Sequence, residues 1–199
     1  LINEWYLEDL SDNIKTVFEH KRKNGDFIGS FAAYGYAKDP NDHNKLVVDP
    51  KAARVVREIF RLYLSGYGKQ RIAAILNEQG VVNPTKYKQS QGLNYVNPAL
   101  NNDVGLWNKT TIGRILKNEV YLGTIVQGKR KKLSYKETGC VEVPAQNWVK
   151  VAGRHEPIID VVSFEQVQKL LSVRTRSDGS GKVHLLAGKV FCADCGSVL

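Results

Sequence analysis

Residues 49–80 leave few folds open to this chain. Asp49 followed by Pro50 starts a helix: a short carboxylate accepts from the first backbone N–H groups, and proline suits the first turn. Ala52, Val55, Val56, Ile59, Phe60 and Tyr63 then recur at helical spacing and define a core face, while Arg54, Arg57, Glu58 and Arg61 define a wet face. Gly66-Tyr67-Gly68 is a turn. A second helix follows over residues 69–79, with Ile72, Ile75 and Leu76 inward and Gly80 closing it. Two such helices must bury both apolar faces, so the core is helical. The outline is also that of a helix-turn-helix, although any helical hairpin shows it.

A third short helix is expected after Asn108, whose side chain can cap it. Ile112, Ile115 and Leu116 mark its apolar face. Lys109, Thr110, Thr111, Arg114 and Lys117 fall mostly elsewhere, and no carboxylate appears before Glu119. Hydroxyls, a guanidinium and ammonium groups on one face are what contact with DNA requires. A solvated basic helix would look the same, so the charge distribution has to decide. The net charge is +9, which suggests a polyanion, nucleic acid before a membrane surface. Residues 108–132 hold seven basic residues, the last being Lys129, Arg130, Lys131 and Lys132, against Glu119 alone, so two thirds of the net charge lies there.

The remaining elements are read from the same signals. Residues 1–23 predict a helix with a stripe of Trp5, Leu7, Leu10, Ile14, Val17 and Phe18, acidic early, basic late, and stopped by Asn24-Gly25. Such a stripe suits a missing domain or a partner helix. Residues 26–37 are extended and rich in glycine and aromatics. Residues 34–38 and 45–48 predict a hairpin across the turn Asp39-Pro40-Asn41-Asp42. Residues 83–107 read as a long polar surface loop, with Trp107 docking the chain back before Asn108. Strands are expected at 123–127 and 147–152, with a basic loop at 128–132 between them. A last helix is expected with Ser163 as N-cap, Gln166 completing a capping box, and Phe164, Val167, Leu170 and Leu171 buried. Residues 177–181 read as a flexible linker. The sum is an α+β fold: mainly helical, with a helix-turn-helix-like hairpin and short strands, preceded by a long helix.

Three cysteines cannot form a disulfide framework, and two of them, Cys192 and Cys195, form Cys-x-x-Cys. That favours a reducing, cytoplasmic setting and a structural zinc, for which the pair supplies half of the four ligands. Cys140 and His184 are poor third ligands, so a second cysteine pair is expected beyond Leu199. No apolar run approaches membrane-spanning length, and a membrane role is not expected.

Taken in order, these pieces resemble the large serine recombinases, which include phage integrases and the transposases of some mobile elements. The matching stretches are residues 21–25 (Lys-Arg-Lys-Asn-Gly), 31–36 (Phe-Ala-Ala-Tyr-Gly-Tyr), 47–60, 68–80, 107–123 and 185–196. Their order and spacing carry the resemblance, which spans nearly the whole chain. The resemblance implies that residues 1–24 are the C-terminal part of a linker helix, 25–180 a recombinase domain that binds DNA, and 181–199 the start of a truncated zinc ribbon. The family's catalytic serine would lie in a domain outside this sequence, so Ser11, Ser30 and Ser65 receive no catalytic role. In the family that serine attacks a phosphodiester and forms a phosphoserine link, with no nucleotide cofactor.

The leading expectation is therefore a DNA-binding fragment of a site-specific recombinase that positions attachment-site duplex DNA for cleavage elsewhere in the protein. Self-association, as a dimer and then a synaptic tetramer, is implied for the full-length protein. Thr110, Thr111 and Arg114 are the candidates for base edges. Lys109, Lys117, Arg130 and Lys131 are the candidates for phosphates. Arg22, Lys23 and residues 25–31 are placed along the backbone or minor groove. Lys69, Gln70 and Arg71 are second-rank candidates. A helix-turn-helix regulator with a zinc module is the alternative, and an interaction module using the Trp5–Phe18 stripe is a third.

Overall fold

The computed structural model describes residues 2–96, 105–132, 136, 139–172, 190, 192 and 193. Among them the order is α1 (Ile2–Lys23), β1 (Tyr36–Lys38), β2 (Leu46–Val48), α2 (Pro50–Leu64), α3 (Lys69–Glu78), α4 (Pro84–Ser90), α5 (Lys109–Leu116), a 3-10 turn (Glu119–Leu122), β3 (Ile125–Gln127), β4 (Arg130–Lys132), β5 (Cys140–Glu142), β6 (Val149–Val151) and α6 (Val161–Ser172). The strands form three antiparallel pairs: β1 with β2, β3 with β6 and β4 with β5. The fold is α+β.

Helix α2 is the hub. It packs against α3, α5 and α6, and α5 packs in turn on α3 and α6. Val56, Ile59 and Phe60 of α2 are buried with Ile72, Leu76, Ile112, Leu116 and Val167. The buried face of α2 is wider than its periodicity indicates. Ala53 and Leu62 are also buried, Val55 and Tyr63 are half-buried, and Arg57 donates from Nε to the Ile158 carbonyl at 3.3 Å. Asp49 caps α2 as expected, accepting from the N–H groups of Lys51 and Ala52 at 3.1 and 3.4 Å. Its second oxygen accepts from the Tyr87 hydroxyl at 2.7 Å. One carboxylate thus starts α2 and anchors α4.

Helix α4 corrects the reading of residues 83–107 as a loop. Asn83 accepts from the Lys86 N–H at 2.9 Å, Pro84 occupies the first helical position, and Tyr87 packs edge-on against Tyr34 with centroids 5.4 Å apart. The start signal was present, but the polar composition of the segment masked it. Trp107 docks as expected: its indole N–H donates to the Val81 carbonyl at 2.9 Å, and its backbone exchanges two hydrogen bonds with the Asn77 carboxamide.

Three further readings are corrected. The basic loop at 128–132 contains strand β4, which pairs Arg130 with Glu142 and Lys132 with Cys140, so Cys140 lies on a strand. A run of basic residues has poor strand propensity, and only the distant partner reveals the ribbon. Asp160, not Ser163, accepts from the first turn of α6, at 2.8 Å to the Ser163 N–H. Leu170 is 47% exposed, so it lies outside the core. The linker expected at 177–181 lies outside the described residues.

Aromatic side chains close the core around Tyr121. Its ring is stacked with Tyr36 at 6.1 Å and meets Phe60 edge-on. Its buried hydroxyl donates to the Tyr34 carbonyl at 2.8 Å, and burial drives its pKa well above the usual phenol range. Tyr121→Phe deletes this donor and leaves the Tyr34 carbonyl without it. The expected cost is about 1–3 kcal/mol, read by denaturant or thermal unfolding as a Tm loss of about 2–4 °C per kcal/mol.

Candidate nucleic-acid interface

Helix α5 forms where its cap dictates. The Asn108 carboxamide oxygen accepts from the Thr111 N–H at 2.9 Å and from the Thr111 hydroxyl at 3.2 Å. Ile112, Ile115 and Leu116 are buried, which turns Lys109, Thr110, Arg114 and Lys117 outward, all exposed. Thr111 is half-buried, and its hydroxyl proton is used by the cap, so it presents an acceptor rather than a donor. The first turn of α5 holds no acidic side chain to offset the positive helix end.

The two candidate helices share one face. A Cβ built on Gly113 of α5 would lie 3.5 Å from Cδ of Lys69, at the start of α3. The Lys69 stem therefore passes the middle of α5, next to Gly113 between Thr110 and Arg114 in sequence. Gly68 caps α3 without a side-chain hydrogen bond, and Lys69, Gln70 and Arg71 are exposed around that first turn. Arg71 is partly committed, pairing with Glu78 at 3.2 Å. The one acid in the basic stretch is directed away: Glu119 accepts from Lys150 at 2.6 Å.

A second basic cluster surrounds the end of α1. A groove of about 780 Å³ runs between α1 and the β4–β5 ribbon, with Leu7, Leu10, Ile14 and Phe18 along one wall and Arg22, Arg130, Lys131 and Lys132 around it. Arg22 Nε is buried without a hydrogen-bond partner. Arg130 pairs weakly with Glu142 at 3.4 Å, both side chains exposed. Lys131 is exposed, as is Lys23 on the last turn of α1. Lys129 lies over the Trp148 ring at 4.9 Å. The candidates thus fall into two groups: Lys69, Gln70, Arg71, Lys109, Thr110, Thr111, Arg114 and Lys117 on α3 and α5, and Arg22, Lys23, Arg130 and Lys131 by α1.

Residues 25–31 are docked rather than extended into solvent. Phe27 N–H donates to the Asn44 carbonyl at 2.7 Å, and the Gln127 carboxamide bridges Asp26 and Ile28. Lys88, which the sequence offers with Lys86, Tyr87 and Tyr95 as a candidate phosphate contact within a surface insertion, lies with its ammonium 4.5 Å from the Tyr95 ring centre and 5.7 Å from that of Phe31. Burial lowers its pKa. Its signal was the lysine and aromatic mixture of residues 86–95.

For a metal, Cys192 is half-buried, and Cys195 lies outside the described residues. Among the described residues no three His, Cys, Asp or Glu side chains converge as a metal site. A Cys-x-x-Cys pair has the ligand chemistry of half a tetrahedral zinc set, and Cys140 lies on β5. Among the described residues no helix is long and apolar enough to cross a membrane.

A family model described as Recombinase matches residues 50–174. The uncharacterized protein YefB of Bacillus subtilis (strain 168) is 33% identical over 89 residues, which make up 45% of this chain and 30% of YefB. The chain thus spans under a third of that relative. Two solved structures align at low identity. One is described as an LSR–DNA complex, with 18% identity, 92% of this chain and 46% of that chain covered, and a TM-score of 0.48. The other concerns the sequence requirements of the Listeria innocua prophage attP site, with 19% identity, 80% and 51% covered, and a TM-score of 0.44.

The position of Gly113 permits a direct check on the α3–α5 contact. An added methyl would meet only the flexible Lys69 stem at ordinary van der Waals distance. Gly113→Ala should therefore keep the fold and raise unfolding stability by about 0.5–1 kcal/mol through helix propensity. Destabilisation in a denaturant titration would show that α3 and α5 pack more tightly than this.

Proposed function

The chain belongs to the Recombinase family, and from that premise we propose that it is the DNA-binding part of a serine site-specific recombinase. It grips duplex attachment-site DNA and holds it for cleavage and strand exchange by a catalytic domain. Residues 1–24 are then the end of the linker helix, 25–180 the recombinase domain, and 181–199 the start of a zinc ribbon. Cys192 and Cys195 would supply two of its zinc ligands. Dimerisation and synapsis belong to the full-length protein.

The observation that carries this reading is the shared α3–α5 surface. Lys69 lies across Gly113, Arg114 and Thr110 are exposed beside it, and Glu119 is turned to Lys150. Arg114 is suited to a bidentate contact with a guanine edge, and Thr110 to either base or phosphate. The uncapped first turn of α3 offers backbone N–H groups to a phosphate. Lys109, Lys117, Arg130 and Lys131 supply charge without sequence information. The helical hairpin of α2 and α3 serves as a helix-turn-helix-like support, with α5 as the reading helix.

Two measurements test this on duplexes selected from a random pool. Affinity should fall with salt by about 0.9 log unit per log salt for each phosphate neutralised, and a flat profile rejects the electrostatic reading. Arg114→Ala should cost about 1–3 kcal/mol on the selected duplex and far less on random DNA. Equal losses on both would reassign Arg114 to a phosphate.

A further inference from the structure

Four successive residues after α1 are all held by the body of the domain. The helix ends in a Schellman turn: Gly25 N–H donates to the Arg22 carbonyl and Asp26 N–H to the Lys21 carbonyl, each at 3.0 Å, with Gly25 at φ 76°. Arg154 then donates from Nε to the Gly25 carbonyl at 3.3 Å, and its Nη2 lies 3.6 Å from the Asp26 carboxylate. Gln127 donates from Nε2 to the Asp26 carbonyl at 2.7 Å and accepts from the Ile28 N–H at 3.0 Å. Phe27 N–H between them goes to Asn44 at 2.7 Å. A Cβ on Gly25 would stand 2.7 Å from Arg154 Nε and 2.8 Å from Val151 Cγ1, so only glycine admits this approach.

The grip matters because, among the described residues, few other contacts orient α1. Its main contact with the domain is β6, and Trp5, Leu7, Val17 and Phe18 along its stripe remain exposed. A helix of 22 residues is about 33 Å long, so a tilt of about 10° at its end moves the far end by about 6 Å. The same grip reaches the candidate reading helix. Arg154 N–H donates to the Gly123 carbonyl at 3.1 Å, and the His155 ring bonds the Val120 carbonyl at 2.7 Å, both in the turn that follows α5.

We infer that Gln127 and Arg154 are positioning residues that fix the direction of α1 relative to the α3–α5 surface, so that the domain reports its placement on DNA to whatever α1 carries. The inference rests on the proposed function for its consequence in recombination, but not for the clamp itself. Neither residue touches DNA in this scheme. Gln127 reads the backbone polarity of the chain between Asp26 and Ile28, and Arg154 supplies both a carbonyl donor and the charge for Asp26.

Bioorthogonal spin labels at Asp9 and Arg54, both exposed, give the distance between α1 and α2 in the whole 199-residue chain with its cysteines intact. The expected result is one narrow distance distribution. Gln127→Ala with Arg154→Ala should broaden it while Tm and affinity for duplex DNA stay near their original values, and Arg154→Lys, which keeps the charge facing Asp26, should recover part of the narrowing. Gln127→Ala alone, which leaves the Arg154 contacts in place, should broaden it less than the double variant. An unchanged width in the double variant overturns the inference, as does a loss of DNA affinity in step with the broadening. In the full-length recombinase the double variant should still bind its site but cleave about 10- to 100-fold more slowly, the scale of misplacement effects on rate; cleavage at the original rate also overturns it. Failure of the original chain to bind duplex DNA would instead reject the proposed function and leave the clamp standing.

Discussion

The buried hydroxyl of Tyr121 is the point from which the rest of the domain is assembled. It satisfies the Tyr34 carbonyl at 2.8 Å, while the Tyr121 backbone carbonyl accepts from both Ile158 and Ile159. Three segments distant in sequence are therefore joined at one residue: the chain entering β1, the turn after α5, and the stretch before α6. Tyr36 repeats the pattern on the same side, with its hydroxyl near the Val120 and Glu156 carbonyls at 3.2 and 2.9 Å. These phenols fill space as hydrophobes and supply donors to buried carbonyls that no strand ladder reaches. Burial raises the pKa of each, which keeps them protonated and able to donate.

What was legible in the sequence is what depends on near neighbours. Asp49-Pro50 placed the start of α2, Asn108 placed the start of α5, and Asn24-Gly25 placed the end of α1, because each signal acts within a turn of itself. The apolar faces of α2, α3 and α5 followed from periodicity. The start of α6 misleads for the same local reason: Ser163 with Gln166 imitates a capping box, but Asp160, three residues earlier, takes the cap. Strand β4 is hidden because its partner β5 lies further along the chain, and α4 because the polar composition of residues 83–107 outweighs its Asn83-Pro84 start signal. The candidate site was legible in composition but not in grouping. Nothing local says that Lys69 crosses Gly113, or that Arg22 shares a groove with Arg130.

That grouping changes the electrostatic picture. A basic stretch read linearly places all of its charge in one block, whereas the fold divides it. The α3–α5 surface keeps Lys69, Lys109, Arg114 and Lys117, and the β4 ribbon carries Arg130, Lys131 and Lys132 to the end of α1. Glu119, the sole acid of the stretch, is paired with Lys150 from β6 and so subtracts little from either surface. Arg71 is drawn along α3 to Glu78, an exposed pair that a phosphate can displace at little cost.

The direction in which α1 leaves the domain is defined only if its junction is rigid. The β3–β6 pair supplies that rigidity: β3 ends in Gln127, β6 leads to Arg154, and both hold the chain beyond α1. The turn after α5 bonds to Arg154 and His155 from the other side. His155 enters this joint as a neutral ring, since burial lowers its pKa and its Nδ1 has no partner. A charged imidazolium there would add a buried proton with no acceptor, so the joint is built for the neutral form. The helix that bears the recognition candidates and the long helix that leaves the domain are thereby attached to one small ribbon, which neither element's own sequence reveals.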